Sequence, residues 1–142
     1  MRIFAAELDG GDSPGEHESD WLGTDPHTAF TTAAALDRAA WHRPGALTSD
    51  VHLSFGPVPG QLAALIHLTE LVVHTADLAV TTAQEHQLDP QLCDDLLTTM
   101  HESAFDAFRR PGMFGPELSA PTDAAHHRLL AFTGRELRRT TV

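Results

Sequence analysis

At 142 residues, 42% of them hydrophobic, the chain has room for one domain, 1–142, with a single core that buries roughly two thirds of its unfolded surface. A net charge of −11, no lysine, and no arginine between Arg43 and Arg109 exclude nucleic acid as a partner, because a duplex needs a basic patch against its phosphates, and exclude an anionic membrane surface for the same reason. The single cysteine, Cys93, allows no intrachain disulfide; no run approaches the roughly eighteen apolar residues of a membrane span, and no basic-then-apolar leader opens the chain, so the expectation is a soluble, cytoplasmic protein.

Residues 1–8 carry Ile3, Phe4 and Leu8 at helical spacing with no capping residue before them, like the last turns of a helix. From Asp9 to Gly23 the composition shifts to Gly, Asp, Glu, Ser and Pro, which reads as an exposed loop. Asp25-Pro26 supplies an N-cap and an N1 proline for a helix to about His42, with Phe30, Ala33, Ala34, Leu36 and Trp41 as its buried face. Thr48 to Phe55 alternates, Val51, Leu53 and Phe55 against His52 and Ser54, as a short strand or hairpin arm that Gly56-Pro57-Val58-Pro59-Gly60 ends. After the central stretch described next, Asp89-Pro90 caps a helix to about Phe108, with Leu92, Leu96, Leu97, Met100, Ala104 and Phe108 inward and Cys93 and His101 on its flank. Arg109-Arg110 would complement that helix's dipole, and a last short helix spans about Asp123 to Phe132 with Gly134 as its C-cap. Cys93, among apolar neighbours and away from cations, reads as an inert core thiol.

Gln61 to Gln84 is the stretch on which the chain turns. Apolar residues cover every helical face except one line, His67, Glu70, His74, Asp77, Thr81, and a helix apolar almost all round belongs inside a bundle. Glu70 and His74 stand four apart, so a carboxylate oxygen and an imidazole nitrogen converge as metal ligands do; the same spacing also describes an ordinary helix pair worth about 0.2 to 0.5 kcal/mol. A stripe of acids, imidazoles and a hydroxyl, without Lys, Arg or Gln, favours ligation or proton transfer. Ten histidines would nearly cancel the net charge below about pH 6, although scattered surface histidines are the simpler reading.

The run LTELVVHTADLAVTTAQEHQLDP at 68–90, RRPGMFGP at 109–116 and HHRLLAFTGRE at 126–136 together resemble the actinobacterial metal-binding proteins related to mycothiol-dependent maleylpyruvate isomerase, in the wider DinB-like group of four-helix bundles. The resemblance implies an all-α, DinB-like helical bundle lacking the first helix and most of the second, with a short β-hairpin or strand before the central helix. It also implies a divalent metal, zinc above all, on Glu70 and His74, which match the family's Glu and His four apart. Two departures stand out. The family's H-G-W-D is His74-Thr75-Ala76-Asp77 here, and the histidine that the family's second helix supplies as third ligand is not present at its position. Nor does the C-terminal domain of the true isomerase follow, so maleylpyruvate itself does not carry over.

Two ligands from one helix hold metal weakly, and candidates for the third are His101 on the next helix, His52 on the strand, and a partner chain. His67 lies about 10.5 Å along the axis from His74, which sets it apart. Asp77 is placed to orient an imidazole, and Arg135 matches the family's G-R and would face an anionic group of the substrate. The function expected is that of a metal-dependent enzyme acting on a small carbonyl-bearing or unsaturated molecule, with mycothiol as co-substrate. The alternative is a non-catalytic shortened bundle serving as a small-ligand-binding or assembly module. An uncovered apolar groove along the central helix predicts a homodimer.

Overall fold

A computed structural model describes residues 1–8, 20–53, 55–103 and 105–137, without the side chains of Arg2, Ile3 and Glu7. The expected loop at 9–19, the core role of Ile3, the outward place of Ser54 and the inward place of Ala104 lie outside the described residues. The chain is mostly helical: α1 (Arg2–Leu8), α2 (Pro26–Trp41), a hairpin of β1 (Asp50–Leu53) and β2 (Gly56–Pro59), α3 (Gly60–Thr81), α4 (Pro90–Glu102) and α5 (Ala125–Phe132). It falls into two compact units, Met1–Leu68 and Thr69–Val142, and α3 contributes turns to each.

In the first unit, Asp25 caps α2 as its sequence requires: one carboxylate oxygen accepts from the Thr28 amide at 3.0 Å and the other from the Thr28 hydroxyl at 2.7 Å. Those two bonds hold the Asp25 carboxyl below its ordinary pKa. The buried stripe of α2 is Ala33, Asp37 and Ala40; of the apolar face expected, Ala33 is buried and Trp41 packs against the core, whereas Phe30 and Leu36 are exposed. A buried carboxylate sets the rotation of this helix, and leucine 36 follows it outward. The hairpin is antiparallel, pairing Asp50 with Pro59 and Val51 with Val58, so the Gly-Pro-Val-Pro run forms a second strand where a terminator was expected. Its two prolines lack amide donors, which a two-stranded ribbon tolerates because each strand has a free edge. Val51, Val58 and Ala63 form the core here, with Phe4, Leu8, Trp41, Leu53 and Leu62 packed against them. Phe55, at the turn, is exposed.

In the second unit, Val72, Val73, Ala76 and Ala79 of α3 are buried, as are Cys93, Leu96 and Met100 of α4 and Leu129 to Phe132 of α5. Asp89 caps α4 through the Gln91 and Leu92 amides at 2.9 and 3.2 Å. This helix ends at Glu102, short of the expected Phe108; a separate 3₁₀ turn spans Phe105–Phe108. Cys93 takes the central inward place, and Leu92 the flank. Arg109 does not serve the dipole of α4. Its Nη1 donates to the carbonyls of Gly115 at 2.7 Å and Phe132 at 2.8 Å, its Nε to Asp106 at 2.7 Å, and its guanidinium lies 4.6 Å from the centre of the Phe132 ring. One arginine therefore satisfies the end of α5 and fixes the Met-Phe-Gly-Pro turn on it.

At 22 residues α3 matches a membrane-crossing helix by length and hydropathy, contrary to the reading that no segment comes near one. One such helix is not enough for a membrane span, and this one carries two carboxylates and two imidazoles, of which His67 pairs with Asp37 of α2 and Asp77 with Arg135 after α5. Nor is it enclosed on all apolar faces, since Leu68 and Leu78 are exposed, the latter by 63%.

Candidate functional site

The polar line of α3 meets different surroundings as it advances. His67 is buried, and its Nε2 stands 2.9 Å from each oxygen of the buried Asp37 carboxylate. The Phe4 and Trp41 rings lie over the imidazole at 4.3 and 5.9 Å between centroids. This histidine is a core residue whose nitrogen is already engaged.

One turn further, the stripe reaches solvent. Glu70 Oε2 lies 3.1 Å from His74 Nε2, and His74 Nδ1 lies 3.3 Å from Asp77 Oδ2. Asp77 in turn accepts from Arg135 Nε through both oxygens, each at 2.9 Å. The end of α5 puts Arg135 there: Gly134, at φ +84°, turns the chain left-handed, its amide donates to the Ala131 carbonyl, and the Arg135 amide donates to the Leu130 carbonyl, each at 3.0 Å. Four of the residues singled out in the sequence therefore form one continuous chain, Glu70, His74, Asp77, Arg135. Arg135 directs its Nε to Asp77, where an anionic substrate group was expected. His101 stands in the last turn of α4 with its ring centroid 4.4 Å from that of Phe132, and His52 is exposed on β1.

A second cluster was not foreseen. Among the described residues, the one place where ligand atoms of three His, Cys, Asp or Glu side chains all lie within 4.8 Å of one another is Glu85, His126 and His127, and this group could hold a metal ion. All three are partly buried. Glu85 opens a 3₁₀ turn after α3, and the histidines occupy the first turn of α5 with their rings 4.4 Å apart, edge to face. Burial pushes the His126 imidazole below its ordinary pKa, the His127 charge adds to that, and the Glu85 carboxylate opposes it. The adjacent histidines were visible in the sequence, but nothing in it brings Glu85 to them. Cys93, buried in α4, has its thiol pKa raised first by burial and then by Asp94 and Asp89, as an inert core thiol should.

Fold and sites together define a mostly helical protein with an antiparallel hairpin before its central helix and a His/His/Glu group able to take a metal ion. No family model and no solved structure matches the chain. It is similar to two uncharacterized proteins of Mycobacterium tuberculosis, Rv0738 and MT0763, each 33% identical over 112 residues, a match that covers 78% of this chain and 62% of each relative. The chain thus spans less than two thirds of the length of these curated relatives.

Proposed function

We propose that this chain is a metal-dependent enzyme of the DinB-like, mycothiol-dependent isomerase-like group, a cytoplasmic helical bundle acting on a small carbonyl-bearing or unsaturated molecule. The observation that carries the reading is the posture of His74: Asp77 lies at its Nδ1, and its Nε2 points to the Glu70 carboxylate. Metal-ligating histidines are oriented in this way by a carboxylate on the far nitrogen, and Arg135 here holds that carboxylate in place. Ligand atoms 3.1 Å apart need little movement to share one ion. Imidazole with carboxylate suits a divalent ion of zinc type. Such an ion supplies a Lewis acid that polarises a carbonyl and lowers the pKa of a bound water or thiol. Mycothiol is the co-substrate we assign, and the mycobacterial origin of the relatives agrees with it. Leu78, 63% exposed on α3, would be covered in the homodimer we assign.

A second reading rests on exposure. The His74 and Glu70 side chains are 62% and 49% accessible and already bond to one another, as members of a surface polar chain in a binding or assembly module would. Metal content decides between the two. In protein purified without a histidine tag, the enzyme reading expects His74→Ala and Glu70→Gln each to lose about one equivalent of metal with the helical circular dichroism intact. Unchanged metal content in both variants would leave the module reading.

A further inference from the structure

We propose that Glu85, His126 and His127 form a second divalent-cation site, separate from Glu70 and His74, that takes an ion of the zinc class and clips the segment after α3 to the first turn of α5. Two imidazoles and one carboxylate are a borderline donor set. They suit zinc, cobalt or nickel, whereas calcium and magnesium call for shells built of oxygen. Three protein ligands leave a fourth position open, as in zinc centres that keep a water.

The His127 ring and the backbone that carries Glu85 are positioned by bonds outside the cluster. Thr122 Oγ1 lies 2.7 Å from His127 Nδ1 and accepts from the Ala124 amide at 3.2 Å, which orients the ring and leaves Nε2 as the nitrogen for a cation. On the other side, the Leu88 amide donates to the Glu85 carbonyl at 3.1 Å, and the Gln84 and Gln87 side chains bond at 2.8 Å across the same turn. The chain enters that turn through Ala83 at φ +56°, a left-handed backbone that alanine rarely adopts. The Gln84 amide, donating to the Ala79 carbonyl at 2.8 Å, closes α3 around it. This left-handed cap fixes where the chain leaves α3 and hence where Glu85 begins.

Two effects oppose the site. The first turn of a helix carries a partial positive charge, which disfavours a cation there; the Glu85 carboxylate supplies a full negative charge against it. Ligand atoms around tetrahedral zinc lie roughly 3.3 to 3.5 Å apart, given bonds of about 2.0 to 2.1 Å. From separations of up to 4.8 Å the three groups must close by up to about 1.5 Å, a movement on the scale of side-chain rotation.

The test is metal content and cobalt spectroscopy on the 142-residue chain stripped with chelator, reloaded with zinc or Co²⁺, and compared with Glu85→Gln, His126→Ala and His127→Ala. Each variant should lose about one equivalent of zinc and the visible cobalt band, and the loss should be the same when His74→Ala is also present. Variants that keep the parent's equivalents and spectrum would overturn the proposal. If the alanine variants fail to fold, two further measurements decide. Thr122→Val leaves all three ligands in place and should weaken zinc binding by roughly 10- to 100-fold. In the parent, substoichiometric Co²⁺ should broaden the His126 and His127 ring resonances before those of His74; broadening that begins elsewhere refutes the site. Loss of the Glu70–His74 site alone would remove the proposed function and leave this one standing.

Discussion

Gly134 and Gly112 offer a matched pair for testing what holds the end of α5. Both have left-handed backbones, φ +84° and +85°, yet a Cβ on Gly112 would meet no atom within 4 Å, whereas one on Gly134 would lie 2.7, 2.8 and 2.9 Å from Cα, C and N of Gly115. Alanine at either position incurs the left-handed penalty of about 1 to 2 kcal/mol. Loss of unfolded-state freedom returns about 0.4 to 1 kcal/mol of that. Gly112→Ala should therefore destabilise by about 1 kcal/mol. Gly134→Ala adds the displacement of a backbone that cannot swing aside, because Arg109 holds the Gly115 carbonyl at 2.7 Å. Overpacking of this kind adds about 1 to 3 kcal/mol, for a total of about 2 to 4. With a urea slope of about 1 to 3 kcal/mol per molar, the two midpoints should differ by about 1 M at equal slopes. Equal midpoints would refute the reasoning, since they would mean that the two chain segments are not held together as described.

Other outcomes follow from single contacts. Ala83→Gly should raise stability by about 0.5 to 1 kcal/mol, the left-handed penalty less the entropy glycine returns to the unfolded chain; thermal denaturation that moves down would contradict the strain assigned to Ala83. The Cys93 thiol is held protonated by burial, so its folded pKa lies above the unfolded value, and the stability it contributes is full below about pH 9 and is lost as pH rises through the folded value. Cys93→Ala should flatten the alkaline limb of a stability-against-pH curve, and the parent thiol should resist labelling until the chain unfolds. A double-mutant cycle on Asp77 and Arg135, whose side chains are about a third and a quarter exposed, should give a coupling of about 0.5 to 1 kcal/mol that shrinks in high salt. No coupling at low salt would detach Arg135 from the His74 chain.

What the sequence made legible was what neighbours along the chain decide. Asp25-Pro26 and Asp89-Pro90 start α2 and α4 because a cap bonds to amides two or three residues on, and Gly134 ends α5 because its conformation is set within one turn. The His74 cluster was legible as far as Asp77 for the same reason, its members lying one or two turns apart on one helix. Hidden were the features decided by partners far along the chain. Hydrophobic spacing assigned Phe30 and Leu36 to the core, but the carboxylate of Asp37 was buried with His67, and an ion-pairing group that must be satisfied fixes a helix's rotation more strictly than a leucine does. Arg109 was read as serving its own helix; the carbonyls that needed it belong to Gly115 and Phe132.

The same contrast explains why one stripe on α3 yields residues of different character. Spacing places His67, Glu70, His74 and Asp77 on one line, but chemistry follows from what each meets, and a nitrogen committed to a buried carboxylate is lost to an external ligand. His67 is so committed. His74 stands between two carboxylates, Asp77 at Nδ1 and Glu70 at Nε2, and its side chain is 62% exposed, so a cation can reach the nitrogen that faces Glu70. A net charge of −11 without a single lysine raises the local concentration of cations at both clusters and leaves no ammonium group to compete for their carboxylates. Under both proposals the acidity would draw divalent cations to the protein, and the histidines would decide where they stay.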